Sequence, residues 1–354
     1  MKIDIITCQY AYNYGAVLQA YGLSQYLKNC GNEVNIINYQ PEYARKVKSK
    51  KIINKIIRPM IRKIDYIKGK KVFGKFLDEN VILTRKYSNI KDLKDDVPEA
   101  DAYICGSDQI WNCDLPNGND DSFFLTFVPE NKIKMSYAAS IAMNQLNDEQ
   151  KNRFKDLLKS FDYISVREKT AKNILDSIDV QDVKKVLDPV FLLEKQQWIE
   201  MANKASKENE KYILLYCFNR QENVYEYAKK IANKEGYKIY SINTYIEDYL
   251  RKVDKYFYNV SPEKFLNLIL NAEEVVTNSF HGLAFSTIFN KNVHVFQKSG
   301  GANSRMLDFL KEIGLDNRMT SGELISYNIE YQLVNEKINL LKEESYSYLN
   351  NIKK

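Results

Sequence analysis

The sequence predicts an α/β protein with two Rossmann-like domains that face each other across a cleft. Its 354 residues exceed the size at which a single hydrophobic core keeps growing, so two domains are expected. Short apolar strands alternate with helical segments in both halves, which is typical of parallel sheets covered by helices. The composition, 44% hydrophobic with 13 Gly and 7 Pro, suits packed cores and not a disordered chain.

The first half opens with a strand, a helix and a second strand, predicted at 3–7, 16–29 and 33–39 from the apolar spacing. Gly31 lies just past the helix, where a residue of positive φ commonly ends helices. The alternation resumes further along the chain. Its strands are predicted at 102–105, 134–138 and 163–166, and its helices at 148–160 and from 168 onward.

The second half repeats this alternation after a polar, lysine-rich stretch that predicts a linker. Strands are predicted at 212–217, 237–242, 274–277 and 293–296, and helices at 224–234, 262–270, 283–289, 305–313 and 336–341. Ser261 and Pro262 suit the cap and first position of a helix. We expect an N-terminal domain at 1–200, a C-terminal domain at 208–325, and a helical segment at 326–354 that could pack back on the N-terminal domain.

The net charge of +6 comes from one basic segment. Between Arg45 and Lys75 there are thirteen Lys and Arg and one acid, Asp65, so this segment carries +12 and the remainder −6. Isoleucines recur there every three to four residues, which predicts an amphipathic helix or helix pair inserted at about 42–76, with a kink at Pro59. The segment could contact anionic lipid headgroups, or be a solvated basic face whose isoleucines pack on the N-terminal domain. Interleaved isoleucines, not stacking aromatics, argue against nucleic acid.

Several classes of protein are disfavoured. The five cysteines are widely spaced without a CxxC pair, so neither a disulfide framework nor a zinc site is expected. No GxGxxG turn follows the first strand, so nicotinamide and flavin cofactors are not expected. The chain has no run of eighteen apolar residues and no signal-peptide pattern. We therefore expect a cytoplasmic protein, with peripheral contact at the inner membrane face at most.

The turns after strands are the first candidates for a site, because ligands of open α/β sheets bind beyond the carboxyl ends of the strands. After the first strand, Asn13 and Gly15 lie at a helix N-terminus, where backbone amides can bind anions. Turn chemistry alone explains these two residues equally well.

The turn after the strand at 102–105 offers a carboxylate. Asp108 could accept a proton from a hydroxyl of a bound ligand. Alternatively, Ser107 or Asp108 simply caps a following helix.

A third turn contains one of the two histidines. His281 lies between a strand and an apolar helix, whereas His294 alternates with valines inside a strand and is most simply structural. A helix N-terminus disfavours a positive charge, so a proton-donating His281 would need an anionic neighbour or substrate. A purely structural role for His281 stays open.

Positive side chains lie near the expected cleft. Arg167 directly follows a predicted strand, and Arg305 begins a helix after a glycine-containing loop, with Lys298 nearby. The planar fork of arginine suits carboxylates and phosphates. Because surface arginines are common, either residue alone carries little weight.

Taken together and in order, seven short motifs resemble those of the polysaccharide pyruvyltransferase family. They begin at Asn13 (NYGAVLQ), Gly106 (GSDQIWN), Tyr137 (YAAS), Ser165 (SVRE), Asp188 (DPV), Ser279 (SFHG) and Asn303 (NSR). The resemblance runs from about residue 1 to residue 315 and leaves out the basic segment and the last forty residues.

The resemblance implies a GT-B-like fold and an enzyme of bacterial-type surface polysaccharide or exopolysaccharide biosynthesis. Such an enzyme moves a pyruvyl group from phosphoenolpyruvate to two hydroxyls of one sugar as a cyclic ketal. Phosphoenolpyruvate is then a donor substrate, and no cofactor or metal is expected. The other partner is a saccharide acceptor, which could be linked to a lipid diphosphate and presented beside the basic segment.

The resemblance also maps roles onto residues. The family's anion-binding arginine corresponds to Arg167 and its histidine to His281. Members often carry Arg two residues before the histidine, where this chain has Ser279, so either Arg305 or Lys298 supplies the missing charge or the donor is bound differently. The expected donor-binding residues are thus Arg167, Ser279, His281, Lys298 and Arg305. The expected acceptor or cleft residues are Asn13, Tyr14, Gly15, Ser107, Gln109, Trp111 and Ser140.

A chemical role follows for each catalytic candidate, Arg167, His281 and Asp108. Arg167 offsets the charge of phosphoenolpyruvate, and His281, held protonated by the donor, protonates its methylene carbon. Asp108 as the base for an acceptor hydroxyl is our own inference and is not implied by the family.

Two other functions compete with this interpretation. A GT-B glycosyltransferase that uses a sugar nucleotide would have the same two-domain fold, and Glu273 and Glu274 would bind the ribose. A non-enzymatic membrane-docking protein would use the basic segment alone, but it gives no reason for Arg167, His281 and Arg305 to meet in a cleft.

Overall fold

Two parallel sheets, one in each half of the chain, organise the fold. They are seen in a computed structural model that describes residues 1–45, 57–219, 221–246, 252–297 and 304–353. The N-terminal sheet has the strand order β3-β2-β1-β4-β5. Its strands are β1 (Lys2–Ile6), β2 (Glu33–Tyr39), β3 (Leu83–Tyr87), β4 (Ala102–Cys105) and β5 (Ile133–Ser136). A short parallel pair follows, β6 (Ser165–Val166) with β7 (Lys184–Lys185).

The C-terminal sheet has the order β10-β9-β8-β11-β12-β13. Its strands are β8 (Tyr212–Tyr216), β9 (Lys238–Asn243), β10 (Lys255–Tyr258), β11 (Glu274–Thr277), β12 (Asn292–Phe296) and β13 (Met319–Thr320). Every residue of β8 is buried, as expected for a central parallel strand covered by helices on both faces.

Eleven helices of the described residues surround the sheets. They are α1 (Tyr14–Asn29), α2 (Ile57–Asn80), α3 (Ile90–Asp95), α4 (Asp148–Leu158), α5 (Lys169–Asp176), α6 (Lys195–Ala202), α7 (Glu222–Glu235), α8 (Pro262–Asn271), α9 (Phe280–Ile288), α10 (Ser304–Ile313) and α11 (Tyr331–Asn350). Side-chain caps set several starts: Asn13 accepts from the third residue of α1, and Ser261 caps α8 with Pro262 at its first position, as predicted. In the part of the chain described, no helix combines the length and apolarity that crossing a bilayer requires.

Strand order explains where a site can form. In the N-terminal sheet the order reverses between β1 and β4, whose residues Ile5 and Ile104 are paired. In the C-terminal sheet it reverses between β8 and β11. Such reversals open a crevice at the carboxyl ends of the strands, so the turns after β1, β4 and β11 line the two facing crevices.

The two domains share one continuous apolar core. Trp198 of α6 packs edge-on against Tyr21 of α1, with ring centroids 5.7 Å apart, and against Phe285 of α9 at 5.0 Å. The C-terminal helix α11 lies against the N-terminal domain, where the Tyr348 hydroxyl donates to the Ser136 carbonyl at 2.7 Å. Burial of these rings stabilises the contact between the two domains.

The basic segment is helical where the structure describes it, and residues 46–56 lie outside that part. Helix α2 buries Gly69, Phe73, Phe76 and Leu77 against the N-terminal domain. Ile64 is 53% exposed, so the expectation that the isoleucines do the packing is wrong for this residue. Aromatic side chains further along the helix bury more apolar area and determine which face turns inward. Contact of the segment with a membrane stays a prediction.

Candidate functional site

The turns after β1 and β11 meet across the cleft at a glycine. The ring of His281 lies against Gly15 of α1, where a methyl group would lie 2.5 Å from Cε1 and closer still to Nδ1. No side chain larger than hydrogen fits beside this ring. Gly15 therefore serves a close approach between the domains in addition to its place in a turn.

Asp188 lies at the centre of a buried polar cluster. Its side chain is fully buried and forms an ion pair with Nη1 of Arg167. The Ser107 hydroxyl donates to Oδ2 at 3.3 Å, and the Val190 amide donates to Oδ1 at 3.2 Å. Nε2 of His281 lies 3.5 Å from Oδ2. The carboxylate thus joins residues from three distant parts of the chain.

Opposing effects act on the charges of this cluster. Burial alone would raise the pKa of Asp188, but the positive charges of His281 and Arg167 outweigh it and hold that pKa below its ordinary value. Burial also acts to lower the pKa of Arg167, and the carboxylates of Asp188 and Glu168 reverse this effect. Asp188 is thereby the anionic neighbour that a proton-donating histidine at a helix N-terminus requires.

Arg167 is fixed by several contacts, but one of its guanidinium nitrogens has no hydrogen-bond partner among the described residues. Its Nε donates to Glu168 Oε1 at 3.2 Å, and its guanidinium lies 4.5 Å from the centroid of the Phe280 ring. Nη2 of Arg167 is buried without a hydrogen-bond partner among the described residues. Since an unsatisfied buried donor is costly, this atom points to a ligand that accepts from it.

A second arginine enters the cluster from the C-terminal domain. Nη1 of Arg305, at the start of α10, lies 3.9 Å from Oδ1 of Asp108. Its Nε is also buried and finds no acceptor within the described ranges. Burial first, and then the like charge of Arg167, lower the pKa of Arg305. The structure therefore brings together two guanidiniums, as an anion of more than one charge requires.

The alternative interpretation, that Ser107 or Asp108 caps a following helix, is wrong. Residues 107–115 form turns, and Asp108 has a φ of 66°. Its carbonyl accepts from the Ile110 and Ser140 amides at 2.9 and 3.0 Å. The backbone of Asp108 thus holds the turn, while its carboxylate lies near Arg305.

Tyr14 and Trp111, expected to line the cleft, are both completely buried. The Tyr14 hydroxyl donates to the Val260 carbonyl at 3.1 Å, and its ring stacks on Phe265 at 4.2 Å. Nε1 of Trp111 donates to the Phe123 carbonyl at 3.0 Å. Their large apolar surfaces explain this position: Tyr14 joins the domains, and Trp111 fills the N-terminal core.

The other expected site residues have mixed surroundings. Asn13 and Ser279 cap α1 and α9, with Ser279 Oγ accepting from the Gly282 amide at 3.4 Å. Gln109 accepts from Asn112 at 2.9 Å. The buried Ser140 hydroxyl has no hydrogen-bond partner in the described part of the chain. Lys298 lies outside the described residues.

The glutamates proposed for a ribose lie at the wrong end of the sheet. Glu274 begins β11, away from the carboxyl end where ligands bind. Its carboxylate pairs with Nε2 of His294 at 2.6 Å, and Nδ1 of that ring lies 2.8 Å from the Tyr227 hydroxyl. The assignment of Glu273 and Glu274 to a nucleotide is therefore not supported, and His294 is structural, as predicted.

Sequence reasoning missed Asp188 and Glu168 as parts of the site. Both stand inside quoted motifs, but an Asp before Pro189 resembles an ordinary turn residue. The sequence places Glu168 directly after Arg167, but it does not show that Asp188 also contacts this arginine. Within the described ranges no group of three or more His, Cys, Asp or Glu residues could hold a metal ion.

Comparison with known proteins bears on the family and the fold of the chain. The profile of the family described as polysaccharide pyruvyl transferase matches residues 13–297, and no curated protein matches the chain. The UDP-GlcNAc 2-epimerase of Neisseria meningitidis bound to UDP-GlcNAc is 11% identical over 98% of this chain and 93% of that chain, with a TM-score of 0.50.

Two further structures are similar at lower scores. Arabidopsis thaliana UGT89C1 is 9% identical over 99% of this chain and 98% of that chain, with a TM-score of 0.48. The E. coli ADP-heptose lps heptosyltransferase II is 13% identical over 98% and 100%, with a TM-score of 0.43. At these identities a likeness concerns the fold alone. With the strand orders described above, the epimerase likeness confirms the prediction of two Rossmann-like, GT-B-like domains facing a cleft.

Proposed function

Since the chain belongs to the polysaccharide pyruvyl transferase family, and is thus a transferase, we propose that it moves the pyruvyl group of phosphoenolpyruvate to two hydroxyls of one saccharide unit as a cyclic ketal. The observation that carries the proposal is the cluster in the cleft. Two guanidiniums that each have a buried donor without a partner in the described part of the chain, those of Arg167 and Arg305, lie in one cluster with His281 and Asp108. Anion, acid and base chemistry are therefore available in one place.

The two arginines suit the donor. Phosphoenolpyruvate carries a carboxylate and a phosphate, and Nη2 of Arg167 and Nε of Arg305 are buried donors without acceptors in the described part. Asp188 and Glu168 already occupy the other face of Arg167, so its free nitrogen is fixed in direction. Preorganised donors of this kind favour charge that develops in the transition state. Lys298 remains a further candidate for the phosphate.

The first step needs an acid. The ring of His281 gives a proton to the methylene carbon of phosphoenolpyruvate, whose double-bond electrons form the new C–H bond. The adjacent carbon becomes an oxocarbenium centre through its bridging oxygen. Asp188, 3.5 Å from Nε2 of His281, stabilises the protonated ring beforehand and so acts as a positioning residue.

In the remaining steps, two oxygens of the acceptor replace the bridging phosphate oxygen at the oxocarbenium carbon. One acceptor hydroxyl attacks it, and Asp108 accepts the proton of this hydroxyl. The bond to the bridging oxygen then breaks and phosphate leaves with the electron pair. The second hydroxyl closes the ring, and the two released protons restore His281 and convert the leaving group to hydrogen phosphate. Saccharide and phosphoenolpyruvate thereby give the ketal and one phosphate.

The test measures the release of phosphate, the mass of the product and the effect of removing the proposed acid. Incubation with phosphoenolpyruvate and a panel of oligosaccharides should release phosphate and give a product heavier by one ketal-linked pyruvyl group in mass spectra. His281→Ala should lower kcat/KM by about 100-fold or more, because only it supplies the proton. Full activity in this variant would exclude the acid role.

Donor choice is tested by thermal unfolding. Phosphoenolpyruvate should raise the Tm of the wild type saturably. The increase should vanish in Arg305→Ala and persist in Arg85→Ala, a control at an exposed arginine of β3. Protection by UDP-GlcNAc and none by phosphoenolpyruvate would contradict the proposed donor and favour a sugar nucleotide.

A further inference from the structure

A pocket lies in the N-terminal domain, outside the polar cluster. It is a cavity of about 770 Å³ between the loop before α1, the strand β2 and the helix α2. This volume falls within the range of about 300–1,000 Å³ usual for small-molecule sites. Its polar and aromatic lining consists of Tyr10, Tyr12, Asn38, Gln40, Tyr66, Lys70, Lys71, Lys75, Asp78 and Glu79.

One wall of the pocket is aromatic. The ring centroids of Tyr10 and Tyr12 are 5.7 Å apart, and those of Tyr12 and Tyr66 are 5.4 Å apart, both edge to face. Tyr10 and Tyr66 are half-buried, so part of each ring faces the cavity. Aromatic faces of this kind pack against the C–H face of a sugar ring.

Amide groups lie beside the rings. The Tyr10 hydroxyl donates to Oδ1 of Asn38 at 2.6 Å, and Nε2 of Gln40 donates to the same oxygen at 2.8 Å. Burial raises the pKa of Tyr10 to about 12, so its hydroxyl keeps the proton that it donates. Amides offer both donors and acceptors, which is what a ligand rich in hydroxyls requires.

The opposite wall is basic. Lys70 and Lys71 are exposed on α2, and neither forms an ion pair with another described residue. Lys75 lies 3.7 Å from Glu79 in an exposed pair, which contributes little. With Asp78 also at this end, the free positive charge is concentrated at Lys70 and Lys71, where it can attract an anionic group.

The pocket is close to the polar cluster along the chain. Tyr12 lines the pocket, and Gly15, three residues later, contacts His281. Three residues span at most about 11 Å. Asn38 and Gln40 also lie at the carboxyl end of β2, the strand beside β1. A ligand held in the pocket can therefore extend hydroxyls towards the cleft.

We propose that this pocket binds the acceptor, as a saccharide that carries a phosphate or diphosphate. The sugar ring packs on Tyr10 and Tyr66, which are half-buried and line the cavity, and the phosphate lies between Lys70 and Lys71. The inference rests on the proposed function, because it names the second substrate of the same reaction. It also moves the acceptor site away from Tyr14 and Trp111, which are buried.

Direct binding tests the pocket. The probes are the 1-phosphates of glucose, galactose, mannose, N-acetylglucosamine and N-acetylgalactosamine. Their binding is measured by saturation-transfer NMR and titration calorimetry. At least one should bind the wild type through its ring protons. Tyr66→Leu, which keeps the apolar packing on Tyr12, and Lys70→Glu/Lys71→Glu should each weaken that binding by tenfold or more. Lys63→Glu, on an exposed position of the same helix, should bind as the wild type does.

Three results would overturn the inference. These are no binding of any probe, equal binding by the Tyr66 and Lys70/Lys71 variants, or equally tight binding of inorganic phosphate, which would leave an anion site only. Free phosphosugars and lipid-linked ones are then distinguished by repeating the titration with a farnesyl-diphosphate-linked form of the bound sugar.

Thermal protection by phosphoenolpyruvate separates this inference from the proposed function. Lys70→Glu/Lys71→Glu should keep that protection, since it leaves Arg167 and Arg305 untouched. Donor protection without phosphosugar binding would contradict the pocket alone. Phosphosugar binding without donor protection would contradict the pyruvyl transfer and leave the pocket as a saccharide site.

Discussion

Asp188 shows how much of the site depends on a single buried charge. Its carboxylate contacts Ser107, Arg167 and His281, which lie in different turns and different domains. Spacing along the chain cannot reveal such a residue, because its partners become neighbours only when the crevices of the two sheets face each other. Arg167 and His281 entered the candidate site because each follows a predicted strand and the family resemblance assigns each a role, whereas an Asp before a Pro is common.

Asp188→Asn should destabilise the protein by about 3 kcal/mol, because it leaves the buried charge of Arg167 with less compensation. The wild-type pKa of Asp188 is lowered in the folded state. Its contribution is thus present above its ordinary pKa of 3.8 and is lost as the pH falls through the lower folded value. Urea unfolding should show a constant difference between variant and wild type above about pH 5, which shrinks below pH 4.

Asp156→Asn is the matched control, since Asp156 pairs with Lys159 on the surface at 2.7 Å. That change should cost under about 1 kcal/mol. A difference between Asp188→Asn and the wild type that grows as the pH falls would contradict the assigned direction of the pKa shift.

At the scale of elements, prediction succeeded where strands are buried on both faces. β4, which is apolar and buried throughout, has the predicted bounds, because a continuous apolar run leaves few alternatives. The edge strands β3 and β10 were missed, since each has only one buried residue and so lacks the pattern of a core strand. Helix α11 spans Tyr331–Asn350, within the helical segment expected at 326–354, and it extends beyond the shorter helix predicted at 336–341 because packing on the N-terminal domain stabilises turns that the apolar spacing does not mark.

Helix α11 also supports the polar cluster from behind. The Leu187 amide, next to Asp188, donates to the Ser345 hydroxyl at 2.9 Å, and both groups are buried. Ser345→Ala should therefore leave a buried donor unpaired and destabilise the protein by about 1–3 kcal/mol. Ser347→Ala, on an exposed position of the same helix, should be neutral. Thermal unfolding compares the two, and equal Tm values would show that the hydrogen bond contributes nothing.

At the scale of the whole molecule, the one acid of the basic segment joins the two domains. Asp65 of α2 is buried, and its Oδ1 accepts from the Tyr258 hydroxyl at 2.6 Å and from the Ile246 amide at 3.1 Å. Lys68 lies 4.1 Å from the centroid of the Tyr258 ring. The charge count located this acid from the sequence, but its partners belong to β10 and the preceding loop of the other domain. Contacts between domains were therefore beyond sequence reasoning, although the domains themselves were not.

A double-mutant cycle measures this link. Asp65→Asn and Tyr258→Phe should each destabilise the protein, because each removes one side of a buried, charge-assisted hydrogen bond worth about 1.5–3 kcal/mol. The double variant should be more stable than the sum of the single effects implies, with a coupling of at least about 1 kcal/mol in urea unfolding. Lys63→Ala, exposed on the same helix, should show no coupling with Tyr258→Phe. If the two effects simply add, α2 does not fasten the domains through this contact, and the shared apolar core alone holds the cleft together.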